Sequence, residues 1–289
     1  MIRPTASVLV LALAAAAHGQ SATSTYNSDF SSSDGNYWGS ASHTTFNGHS
    51  DLQLTTDYPG DYFGTWSTGA LENTSDITGF SASFNFSYNT NGDGASEADG
   101  FSFLFGNLSD GMNGAGDWGH SYLQNWNGGE WGMNNFSRLG SGMSVDLATY
   151  GDDYTHARWA SQEVAYNNID DGLLNHLNYY GYDYALNDAH QGTMYIDWET
   201  TGDLVVYLEG PDNAYGAGYG KTEILRTDGF QGIDTAGFEF GFAGRVGGAT
   251  WDILIDNVNI DYSYSTPVVP GVGGIAALAG LAAVRRRRR

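Results

Sequence analysis

At 289 residues with no cysteine, the chain can bury one large core or two small ones, and no disulfide staples it. Its 33 acidic residues against 11 basic ones give a net charge of −22, which excludes phosphate backbones and anionic lipid surfaces as partners by simple repulsion. The 41 glycines, 19 tyrosines and 14 phenylalanines, with few helix-forming runs, predict strands and tight turns, on a surface that suits a neutral polyol or a divalent cation.

The first stretch, "MIRPTASVLVLALAAAAHGQ", has a basic start, an apolar run from Val8 to Ala17, and small residues Ala17 and Gly19. It predicts a Sec-type signal peptide over 1–19, cut after Gly19, so that the protein leaves the cytoplasm. Arg3 and Arg285 to Arg289 then lie outside the folded body, leaving five basic residues against 33 acids and a central charge of −28. Solubility in a salty medium accounts for such a charge as readily as a bound cation does.

The body, 20–265, carries short alternating segments punctuated by Gly, Asn and Asp. "DLQLTT" (51–56), "GFSASFNFSY" (79–88), "GFSFLFG" (100–106) and "GMSVDLATY" (142–150) come first, and "GTMYIDWET" (192–200), "DLVVYLEG" (203–210), "GFEFGFAGR" (237–245) and "WDILIDNVNIDYS" (251–263) follow. Each shows period two, the mark of a strand with one buried and one solvated face. Phe80, Ala82, Phe84 and Phe86 share one face of the second segment, Ser81, Ser83 and Asn85 the other. Thr201-Gly202 predicts the turn of a hairpin, and 170–186 a short helix. In the last segment Ile253, Ile255 and Val258 point inward, with Asp252 and Asp256 as strand-end acids. Many strands with little helix predict an all-β sandwich or jelly roll of two antiparallel sheets.

The tail, 266–289, joins a Pro/Gly hinge to an apolar stretch, Val272 to Val284, and five arginines. The stretch is short of the about 20 residues of a spanning helix, and the arginines would keep its end cytoplasmic. The layout resembles the PEP-CTERM sorting tail of Gram-negative exported proteins, with Val269-Pro270-Gly271 in place of Pro-Glu-Pro. That resemblance implies an exosortase-like or other tail-processing partner, and contact with the membrane only through the tail. A plain C-terminal anchor is the alternative.

The order of the body segments resembles legume-type (L-type) lectins, which have the concanavalin A-like jelly-roll fold. The parallels are Asp51-Leu52-Gln53-Leu54-Thr55, Phe80 to Phe86, Ala98-Asp99-Gly100-Phe101-Ser102-Phe103-Leu104, Gly128-Gly129-Glu130-Trp131-Gly132-Met133, Val145 to Thr149, and Gly241 to Gly247. They run in the family's order over roughly 45–262. The resemblance implies that Asp99 accepts hydrogen bonds from two sugar hydroxyls, a task for an ionised acceptor, and that Gly129 donates its backbone N–H. Trp118 and Trp126 offer flat faces for sugar C–H groups, among asparagines able both to donate and to accept, while Trp131 falls at a core position. The partner implied is a glycan or polysaccharide, with Asp152 beside it. As a turn residue before a strand, Asp99 needs none of this.

The same resemblance implies a cation site. Asp146 stands at the family's glutamate, Tyr150, Asp152 and Asp153 follow, His156 lies near the last ligand, and Ala148 replaces a central aspartate. A remodelled Ca²⁺ site is the expectation, and a transition-metal site is not. The glucanases of this fold carry a row of three acids at period two. "MYIDWET" supplies Asp197 and Glu199, but Tyr195 stands where the nucleophile belongs. The expectation is an exported, non-catalytic, lectin-like protein; the alternatives are a structural surface or matrix protein with a degenerate sugar site, and an endo-β-glucanase.

Overall fold

The computed structural model describes residues 20–46, 49–56, 62–69, 71, 76–89, 100–108, 142–148, 154–159, 162–169, 192–210, 220–246 and 252–266. In chain order the strands are β1 (Gln20–Ser28), β2 (Asn36–Gly39), β3 (Ser42–Phe46), β4 (His49–Thr55) and β5 (Tyr62–Ser67). Then come β6 (Ile77–Asn89), β7 (Gly100–Gly106), β8 (Gly142–Ala148), β9 (Tyr154–Trp159) and β10 (Gln162–Asn168). The last five are β11 (Gly192–Glu199), β12 (Leu204–Glu209), β13 (Thr222–Thr227), β14 (Glu239–Val246) and β15 (Asp252–Thr266). Among the described residues Leu108 alone is helical, and the predicted helix over 170–186 lies outside them, as does the tail beyond Thr266.

The strands make two sheets. Sheet A runs β13-β12-β11-β6-β15-β4-β3, with β1 lying along the far half of β15; sheet B runs β10-β9-β8-β7-β14-β5-β2. The ladders are antiparallel throughout, as β11 between β6 and β12 and β7 between β8 and β14 illustrate. The fold is the predicted jelly-roll sandwich.

Alternation explains the layering. Phe80, Phe84 and Phe86 of β6, Ile196 and Trp198 of β11, and Leu204 and Val206 of β12 face inward from sheet A. Phe101, Phe103 and Phe105 of β7, Val145 and Leu147 of β8, and Phe240 and Phe242 of β14 meet them from sheet B. Burying one such side chain stabilises by about 1.5–3 kcal/mol, so a core this aromatic replaces what disulfides supply elsewhere.

Two turns show local chemistry serving the layers. Gly202 has φ 106°, a conformation that a side chain disfavours, and its N–H donates to the Glu199 carbonyl at 2.8 Å to close the β11–β12 hairpin at the predicted turn. In β15 the register shifts between Asp256 and Asn259, and Asn257 takes φ 49°. The extra residue changes parity, so Ile253 and Ile255 before it and Val258 and Ile260 after it all reach the core. Asp252 opens the strand as predicted. Asp256 does not end one: it sits in mid-strand at the bulge, where its carboxylate accepts the Asn257 N–H at 2.6 Å.

Sheet B departs from the one-solvated-face pattern. Every residue of β7 is buried, and on the outward-facing side of β7, β8, β9 and β14 Ser102, Ser144, Asp146, His156, Arg158 and Glu239 are buried as well. A polar layer therefore lies against sheet B on the side away from the core.

Candidate functional site

Gly100 opens β7 at φ 124°, buried between two neighbours, with Ala148 of β8 as register partner on one side and Arg245 of β14 on the other. Only glycine takes such a φ readily, and this is the physical reason for a glycine directly after Asp99. Asp99, Gly129, Trp118, Trp126, Tyr150, Asp152 and Asp153 themselves lie outside the described residues. The structure places the strand end from which Asp99 departs, next to the end of β8.

Two residues beyond Gly100, on the outward side, begins a chain of polar contacts across four strands. Ser102 of β7 donates its hydroxyl to Asp146 Oδ1 of β8 at 2.5 Å, buried. Arg158 Nε of β9 stands 3.2 Å from Asp146 Oδ2, as an ion pair rather than a linear hydrogen bond. His156 is the register partner of Asp146, and its Nδ1 lies 2.7 Å from Glu163 Oε2 of β10. The imidazole also meets the Tyr166 ring edge to face at 4.7 Å.

Asp146 is 4 % exposed, Arg158 6 % and His156 2 %. Burial pushes the Asp146 carboxyl up, against the opposing pull of the Arg158 guanidinium and the Ser102 hydroxyl. His156 is held below its ordinary 6.5, first by burial and then by the neighbouring guanidinium; these outweigh the Asp146 and Glu163 carboxylates, which pull the other way.

This geometry tests the implied cation site at its one described ligand. Asp146 has the Ser102 hydroxyl on one oxygen and a guanidinium beside the other, so a divalent cation bound there would stand against a permanent positive charge. The residue does not fit a metal ligand. Sequence reading placed His156 near the end of the ligand set but missed Arg158, Ser102 and Glu163. A signal was present in "YTHARW": Thr155 and Ala157 alternate with His156 and Arg158, placing one of only five central basic residues in a buried strand.

The acids of the glucanase-like row lie on the opposite face of the molecule. Tyr195, Asp197 and Glu199 project from the outer side of sheet A. Asp197 accepts the Ser81 hydroxyl at 2.5 Å, and Tyr195 donates its own to Glu209 at 2.5 Å, an acceptor that pushes the phenol up to about 12. Lys221 Nζ sits over the Tyr195 and Tyr207 rings at 4.0 and 4.5 Å. A groove of about 830 Å³ borders this row, lined by Thr25, Ser81, Asp197, Glu199, Asp261 and Ser263.

No family model matches the sequence, and no curated protein matches it either. Solved structures do. Lectin II from Ulex europaeus superposes with a TM-score of 0.55 at 15% identity, covering 83% of this chain and 98% of its own. A lectin from Bauhinia forficata in complex with GalNAc reaches 0.54 at 17% identity, covering 85% of this chain and 100% of its own. The metal-free form of lectin I-B4 from Griffonia simplicifolia gives 0.52 at 15% identity, covering 84% and 99%. The chain has the jelly-roll sandwich fold of the legume lectins.

Proposed function

We propose that this is an exported, non-catalytic carbohydrate-binding protein of the bacterial cell surface or extracellular matrix. Its glycan is held at the end of sheet B where β7 begins. The observation that supports the reading is Gly100: its φ of 124°, between β8 and β14 at the edge of a buried polar layer, makes the Asp-Gly step a built strand entry. In this reading the Asp99 carboxylate accepts two sugar hydroxyls, Gly129 donates its N–H, Trp118 or Trp126 stacks on the sugar face, and Asp152 lies beside them. The fold's likeness to lectins solved with galactose and with GalNAc makes a neutral sugar the first ligand to test. Export runs through the signal peptide over 1–19, and the tail over 266–289 tethers the protein or hands it to exosortase-like machinery.

A structural surface or matrix protein without a working sugar site is the second reading. The ion pair of Asp146 with Arg158 favours it, because that carboxylate is closed to a cation that would brace a sugar loop.

A glycan array on the wild type and on Asp99→Ala, each with and without EDTA, separates the two. The lectin reading expects binding by the wild type and its loss in Asp99→Ala. Silence of the wild type on every glycan supports the matrix reading instead. Loss of binding in EDTA would give Tyr150, Asp152 and Asp153 a Ca²⁺. Release of reducing ends from laminarin or lichenan would overturn the non-catalytic assignment.

A further inference from the structure

The geometry points to Arg158 as a built-in cation: its guanidinium, not a bound divalent metal, holds the polar layer of sheet B together. At Asp146 the charge is therefore answered without a metal.

The polar layer requires a positive charge. Asp146 is buried, and a buried carboxylate with no counter-charge is among the costliest groups a core can hold. Ser102 supplies one hydrogen bond at 2.5 Å, which leaves the second oxygen to be answered. Arg158 answers it from 3.2 Å, and it is buried too, so the pair is screened little by solvent. Arginine suits the task where lysine would not, because its planar, weakly hydrated guanidinium carries several donors in fixed directions.

Register makes the contact a clamp rather than a local pair. Arg158 lies opposite Ser144 of β8 and Glu163 of β10, while Asp146 lies opposite Ser102 of β7 and His156 of β9. One guanidinium and one carboxylate thus tie β8 to β9 and, through Ser102, to β7, while the neighbouring His156 reaches Glu163 of β10. A divalent cation in the same place would have to displace the guanidinium or stand against its positive charge. The ion pair and a metal at Asp146 exclude one another, and the chain carries the ion pair.

The test is thermal melting of the full chain, followed by far-UV circular dichroism, which reads no glycan and so stands apart from the sugar-binding assignment. The wild type and Asp146→Asn are each melted in EDTA, in millimolar Ca²⁺ and in millimolar Mn²⁺, and any response to cation is expected to be the same in both. Arg158→Met and Asp146→Asn are each expected to lower the midpoint by roughly 10 °C, since each leaves its partner buried with its pairing lost or weakened. The double variant Asp146→Leu with Arg158→Met is expected to regain most of that loss. A cation response of the midpoint that Asp146→Asn abolishes overturns the inference, and so does an Arg158→Met variant that melts like the wild type. If Arg158→Met does not fold, the cation response of the wild type set against that of Asp146→Asn decides.

Discussion

Phe84 of sheet A and Phe242 of sheet B meet edge to face across the sandwich, with ring centroids 4.7 Å apart. The pair sits in a chain of aromatic contacts: Phe84 stacks on Phe103, 6.1 Å between centroids, and Phe242 lies 5.9 Å from Trp66. Two strands remote in sequence are thereby fastened at the centre of the core. Phe84→Ala is expected to cost about 3–5 kcal/mol, the range for removing a fully buried ring. Urea denaturation checks this, and a loss within that of a surface substitution would show that the two sheets do not depend on this contact.

Gly100 offers a second test, of backbone rather than packing. At φ 124° any side chain is strained, and such a residue costs of order 1–3 kcal/mol. Gly100→Ala is expected to lower the melting temperature and, on the proposed sugar site at Asp99, also to weaken glycan binding, because the two residues are adjacent in the chain. Asp99→Ala should affect binding alone. Equal glycan affinity in wild type and Gly100→Ala would separate the turn from the site.

The pH dependence turns on His156. Arg158, Asp146, Glu163 and Tyr166 surround its imidazole, and burial with the guanidinium holds its folded pKa below the ordinary 6.5. The unfolded chain then takes up a proton that the folded chain refuses. Stability from this residue is present above 6.5 and is lost as pH falls toward the depressed folded value. The wild-type midpoint is expected to drop on mild acidification, and His156→Gln to flatten that drop. A steeper acid loss in His156→Gln would reverse the sign of the argument.

Local pattern carried much of the architecture. "GFSFLFG" reads as a strand over 100–106, and β7 spans Gly100–Gly106; the hairpin at Thr201-Gly202 follows from turn chemistry and inward Ile253 and Ile255 from period two, while Val258 joins them through the bulge at Asn257. Strands β1 and β10 were harder, for a physical reason. "QSATSTYNS" is hydroxyl-rich, with little apolar alternation, and becomes a strand because it pairs along β15 from Gln20 opposite Thr266 to Ser28 opposite Val258. In "QEVAYNN" a register shift between Glu163 and Ala165 breaks the alternation that would have revealed it.

The sequence by itself determined that this chain makes a two-sheet sandwich, because hydrophobic alternation is local and each strand carries its own record of which face is buried. It also singled out the Asp99-Gly100 step, since a glycine after an acid at the mouth of an apolar strand is legible without partners. Only the tertiary structure decided what Asp146 does. A carboxylate within an alternating strand reads equally as a metal ligand or half of an ion pair. The difference lies in register, because pairing β8 with β9 sets Ser144 opposite Arg158 and Asp146 opposite His156. Register depends on loops and cross-sheet packing, and a shift of one residue would send every side chain to the other face. That is why the charge beside Asp146 is found in the folded sheet and not in the string of residues.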